Sequence, residues 1–194
     1  MTLAPEDILD YWFREIGPDQ WFIYDPVRAG ALQQRFLADH ERAVNGALTL
    51  WEDNPTGMLG LMLLMDQFPR HMFFDTPRAF TTDETALDLA RTAVIRHFDD
   101  RIDGAYKLCF YLPFAHSENM SDQRLSLFYI RERAKNPIWL NNAEHHYNTI
   151  QSFGRFPERN KALGRPSTAA EEEYLRHTAG GFEMKSGSRS SHAA

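Results

Sequence analysis

The stretch Leu61–Arg78, LMLLMDQFPRHMFFDTPR, places the tightest constraint on how this chain can fold. Thr56 to Gln67 is apolar on nearly every side, and its length and its Leu and Met content favour a helix over a buried strand. A helix without a polar face has to be wrapped by other elements, so the stretch predicts a central position inside a layer of partners. The run closes on Asp66 and Gln67 and then meets Phe68-Pro69-Arg70. Proline lacks a backbone donor and disfavours helical geometry in the preceding residue, which predicts a helix end at Pro69. Asp66, Gln67 and Arg70 then stand where helix-end carbonyls need partners.

The remaining segments are helical in pattern. Pro5-Glu6-Asp7 opens a first helix with Ile8, Leu9, Trp12 and Phe13 on one face, and Trp21, Phe22 and Tyr24 form an aromatic connector. Asp25-Pro26 opens a second helix expected to run to Trp51, and Thr82-Asp83-Glu84 caps a long one through Phe98. Tyr106 to Phe114 has strand-like character but no convincing second strand to pair with, so it reads as a buried helix ended or kinked at Pro113. Ser121–Ala134, Ile138–Phe153 with Gly154 as its C-cap, Pro157–Leu163 and Ala169–His177 complete the series. The expectation is an all-α fold of eight to nine helices packed as antiparallel pairs, in one domain over residues 1–179. Residues 180–194, rich in Gly, Ser and Ala, read as a mobile tail.

Composition narrows the function classes. At 43% hydrophobic and 25% charged residues, the chain has ordinary globular usage. Its longest apolar stretch, Met58–Met65, falls far short of the roughly 20 residues of a spanning helix. The first residues are acidic where a signal peptide would be positive, which predicts a cytoplasmic protein without membrane contact. A formal net charge of −6 argues against a general nucleic-acid binder. The single cysteine, Cys109, excludes an intramolecular disulfide and reads as a small buried hydrophobe. Among 21 basic residues only Lys107, Lys135, Lys161 and Lys185 are lysines. Arginine, which supplies the rest, suits bidentate contact with carboxylate or phosphate and buried ion pairing.

Three blocks, LMLLMDQFPRHMFFDTPRAF, YLPFAHSENMSDQ and FGRFPERNKALGRPST, interrupt helices with proline and carry polar groups. In order and content they resemble the signature blocks of a bacterial family catalogued as a domain of unknown function, number 924. His71 and Phe74 depart from the pattern expected there. The resemblance implies an all-helical, tetratricopeptide-repeat-like architecture, either a right-handed superhelix or a compact bundle, and supplies no reaction.

Physical chemistry points to one cleft where the blocks meet. Asp66 and Gln67 need partners if buried, and Arg70, Arg155 and Arg159 are the natural ones, with Asn160 bonding to a helix end. If the arginines outnumber the local acids, they leave a site for a small anionic or polar ligand bound by Gln67, Arg70, Arg155, Arg159 and Asn160. His116 beside Glu118 suits general acid/base chemistry, with Glu118 or Asp66 orienting the imidazole, so hydrolysis is the least demanding reaction. Ser117 lacks the turn of a serine nucleophile. His145 and His146 point in different directions from one helix, so at most one shares the site. No metal or other cofactor is predicted, since no ligand spacing calls for one. Two alternatives belong to other classes. One is a tetratricopeptide-like scaffold that binds a protein segment without catalysis; the other is a homodimer joined through Trp21, Phe22 and Tyr24.

Overall fold

Asn54 starts the buried stretch by accepting the Gly57 N–H at 2.9 Å, with Pro55 in the first helical position. In the computed structural model, which describes residues 3–178 and 185–186, every residue from Gly57 to Met72 is buried. Gly57 is required by a close approach: a Cβ there would lie 2.3 Å from the Trp51 carbonyl oxygen.

Nine α-helices occur among the described residues. They are α1 (Pro5–Asp10), α2 (Pro26–Val44), α3 (Pro55–Met62), α4 (Phe68–Met72), α5 (Asp83–Ile95), α6 (Leu112–His116), α7 (Met120–Tyr129), α8 (Pro137–Phe153) and α9 (Ala169–Thr178). Helix α3 runs through a π-helical turn, Leu63–Gln67, directly into α4 and forms the central rod. Helices α1 and α5 pack on α3, and α2 packs on the π turn and α4. Helix α6 sits against α5, α7 and α8. The fold class is all-α, as expected.

The predicted stop at Pro69 does not occur, and the backbone explains why. In the π turn the Phe68 N–H reaches back five residues to the Leu63 carbonyl, so the Leu64 carbonyl loses its helical donor. Pro69 has no N–H to offer Met65. Side chains from elsewhere take over both carbonyls: His40 Nδ1 donates to Leu64 O at 2.9 Å, and the Thr82 hydroxyl donates to Met65 O at 2.5 Å. The rod therefore continues to Met72 instead of ending in solvent.

Other boundaries also differ from expectation. Helix α2 stops at Val44, because Asn45 and Gly46 (φ 72°) turn the chain out, and a 3₁₀ turn at Thr49–Asp53 replaces the expected continuation to Trp51. Pro113 lies in the first turn of α6, so it begins a helix instead of ending one; the residues before it, Gly104–Phe110, form 3₁₀ turns. Of Pro157–Leu163 only Pro157–Arg159 is 3₁₀-helical. Gly154 closes α8 with φ 69°, its N–H bonding to Ile150 O at 2.8 Å, as the sequence predicts.

Of the aromatic connector, Trp21 belongs to the core, while Phe22 and Tyr24 are half-buried. Trp21 is 1% exposed and stacks on Trp12 at 5.8 Å, and Trp12 and Phe36 flank Phe68 at 5.7 and 5.1 Å. Trp21 is thus not available as a surface contact for a second copy. Ile23–Tyr24 pair in parallel with Lys185–Ser186; apart from that pair, the tail expected at 180–194 lies outside the described residues. No helix among the described residues is long and apolar enough to cross a membrane.

Candidate functional site

Asp66 is delivered by the π turn to the middle of a buried network. Its Oδ1 accepts from His116 Nδ1 at 2.6 Å and from an Arg70 guanidinium nitrogen at 3.2 Å, and its Oδ2 accepts from the Gln67 amide at 2.5 Å. Burial pushes this carboxyl upward, but the His116 and Arg70 charges and the hydrogen bonds of His116 and Gln67 outweigh it and hold Asp66 well below the usual carboxylate range. The same Arg70 nitrogen donates to Asp83 at 2.9 Å, and the other Asp83 oxygen accepts from Arg159 at 3.3 Å. Both guanidiniums lie over the Phe80 ring, at 5.4 and 4.9 Å from its centre.

His116, Arg70 and Gln67 line a cavity of about 410 Å³, a size ordinary for small-molecule sites. The apolar wall comes from Leu108, Leu112, Ala115, Ile130 and Ala143, with the aromatic side chains of Trp21, Phe22, Phe74, Phe80 and Trp139. Asn142, His146 and Glu158 add polar groups, and the His146 ring centre is 6.3 Å from that of His116. Because Asp66 is ionised and close to Nδ1, the hydrogen of a neutral His116 ring sits on Nδ1 and Nε2 carries the lone pair.

The other residues singled out from the sequence form a second network that does not line the cavity. Glu118 takes Arg165 in a bidentate pair at 2.7 and 2.9 Å and accepts the Phe156 N–H at 2.8 Å. Burial acts to raise the Glu118 carboxyl, and these bonds together hold it below the usual range. Asn160 accepts from Arg165 at 3.0 Å and donates to Ser167 at 3.1 Å. Arg155 grips Glu171 at 2.6 and 2.8 Å and also reaches Pro166 O. Together they clasp the segment after α8 onto the turn between α6 and α7.

The sequence-based set therefore divides. Asp66, Gln67, Arg70 and His116 converge at the cavity; Arg159 joins them from behind through Asp83; Glu118, Arg155 and Asn160 do not reach it. The expected surplus of arginines does not arise, because Arg70 shares Asp66 and Asp83, Arg159 takes Asp83 and Arg155 takes Glu171. Sequence reasoning misses Asp83, Arg165 and Glu171 as partners, since the pattern marks Asp83 and Glu171 only as acids near helix starts. It also misses Trp139 and Asn142 as cavity walls. His146, one of two histidines expected to compete for the site, is the one on the wall, while His145 bonds Tyr174 at 3.0 Å. Ser117 donates to Asp122 at 2.8 Å. Cys109 is buried, and burial together with the Asp66 charge pushes its thiol far up. No three metal-ligating side chains converge among the described residues.

Comparison with known proteins agrees with this architecture. A solved structure of a protein of unknown function from Agrobacterium tumefaciens is similar with a TM-score of 0.84 and 35% sequence identity, covering 89% of this chain and 97% of that one. No curated protein matches the chain. The family described as bacterial protein of unknown function (DUF924) matches residues 8–179. With the rod, the α6 histidine and the α8–α9 clasp all inside that span, the chain belongs to the DUF924 family.

Proposed function

We propose that the cavity is the active site of a small-molecule hydrolase in which His116 is the general base and Asp66 orients it. The observation that supports this reading is the 2.6 Å bond from His116 Nδ1 to Asp66, made by an imidazole that lines a cavity of about 410 Å³. A carboxylate held by Gln67 and Arg70 fixes the tautomer, so Nε2 is left to take a proton. Among the described residues no serine, threonine, cysteine or lysine lines the cavity, and its carboxylates Asp75 and Glu158 are engaged by Lys161 and the Tyr174 hydroxyl, which favours water as the nucleophile. His116 removes a proton from that water as its oxygen attacks an acyl carbon, the leaving group takes the proton, and the bond between acyl carbon and leaving group breaks. The Asn142 amide and the second imidazole, His146, are the wall groups suited to stabilise developing negative charge and to protonate the leaving group.

The test is hydrolysis of a panel of aryl esters, anilides and amides by the wild-type chain and by His116→Gln. Turnover that falls about 100-fold or more in the variant, with a melting temperature lowered by no more than about 5 °C, is the expected result. Turnover that His116→Gln leaves unchanged, or no turnover on any member of the panel, overturns the assignment.

A further inference from the structure

We infer that this cavity selects an uncharged, mostly apolar molecule with a hydrogen-bonding group, of the amide or ester class. The inference rests on the cavity being the ligand site and goes on to name what enters it. The charged groups on its wall already have partners. Arg70 is held between Asp66 and Asp83, Asp75 pairs with Lys161, and Glu158 accepts the Tyr174 hydroxyl at 2.8 Å. An anion entering here would have to compete with two carboxylates for Arg70, and it would lose its hydration in an apolar chamber. The preference for an anionic ligand expected from sequence is thereby reversed.

A cation fares no better, although five aromatic side chains face the chamber. Phe80 already lies under the Arg70 and Arg159 guanidiniums, Phe74 is stacked on Tyr24 at 4.0 Å, and Trp21 is stacked on Trp12. A cation approaching Phe80 would therefore meet two guanidiniums, and the wall carboxylates Asp75 and Glu158 that could offset its charge are already engaged. Most of the remaining wall, including Phe22, Trp139, Leu108, Leu112 and Ile130, is apolar, so an uncharged apolar molecule gives up little hydration and gains contact on entering. The Asn142 amide and the His116 imidazole also line the chamber, and each can donate to or accept from a carbonyl or amide.

Four probes of similar size test the class by isothermal titration calorimetry at pH 7.5: benzamide, cyclohexanecarboxamide, benzoate and benzylamine. Benzamide and cyclohexanecarboxamide should each bind at least tenfold more tightly than benzoate and benzylamine. Ala162→Trp, at a half-buried position on the cavity wall, should weaken benzamide at least tenfold, while a retained melting temperature shows that the fold persists. Benzoate or benzylamine binding as tightly as benzamide, with the same loss in Ala162→Trp, overturns the ligand class and leaves the cavity as the site. No binding by any probe, or binding that Ala162→Trp leaves unchanged, overturns the class and the site together.

Discussion

His116 and Asp66 are separated by 50 positions in the chain and meet at 2.6 Å, one at the end of a five-residue helix and the other inside a π-helical turn. Each depends on a proline-marked irregularity: Pro113 starts the helix that ends at His116, and Pro69 follows the turn that presents Asp66. The pair also ties chemistry to stability, since Asp66 is the partner of Arg70 as well.

Asp66 and His116 should separate in their effects. Asp66→Asn removes the negative charge that offsets Arg70 in a buried site and should destabilise the protein by about 3 kcal/mol or more. His116→Gln removes one hydrogen-bond donor to Asp66 but leaves Arg70 paired with the carboxylate, and should lower stability by a smaller amount, about 1–2 kcal/mol. Urea denaturation of both variants checks the ordering, and equal losses would contradict it.

The continuation of the rod through Pro69 depends on Thr82. Thr82→Val deletes the donor to the buried Met65 carbonyl and should cost about 1–3 kcal/mol. In a Pro69→Ala background the backbone regains an N–H, so the same valine substitution should cost less. A double-mutant cycle with no coupling between positions 69 and 82 would refute this account.

Two glycines of α3 should respond differently to alanine. Gly57→Ala forces a methyl group to 2.3 Å from the Trp51 carbonyl oxygen, and because that neighbour is backbone the loss should be about 3 kcal/mol. At Gly60 the nearest atoms are 3.4 Å away, and helix propensity gains up to about 1 kcal/mol, so Gly60→Ala should be close to neutral. Melting temperatures of the two variants distinguish them.

Acid should unfold the protein in two stages. His71, 1% exposed and donating to the Trp21 carbonyl, is pushed down to about 4 from 6.5, first by burial and then by the Arg28 charge. Its folded value is depressed, so the unfolded chain takes up a proton first as pH falls below 6.5. Stability should then decline by about 3 kcal/mol down to pH 4 on this account. Glu171, held down to about 2 chiefly by its Arg155 hydrogen bond, contributes stability that is fully present above its ordinary value of 4.5 and is lost as pH falls towards 2. Stability measured against pH in His71→Gln should be flatter between 6.5 and 4, and in Glu171→Gln flatter below 4.5.

The candidate site is partly legible in the residues alone. Asp66, Gln67, Arg70 and His116 stand out because polar side chains at the edges of apolar runs need partners, and they do converge. Glu118 fails for an instructive reason: lying two residues from His116 in sequence suggests a shared role, yet Arg165 and the Phe156 N–H take its carboxylate. The orienting acid for His116 comes from 50 residues away instead.

By itself, the sequence determined the all-helical class, the buried central stretch and most helix starts, because apolar periodicity, caps and prolines act within a few residues. Tertiary structure alone decided three things. It let the rod pass Pro69, because His40 and Thr82 supply donors that no neighbouring residue could. It neutralised the arginines, because Asp83 and Glu171 arrive from distant helices. And it opened the cavity beside His116, because the space left among Leu112, Trp139, Phe80 and the rod depends on how α6 and α8 pack, and no local pattern records that distance.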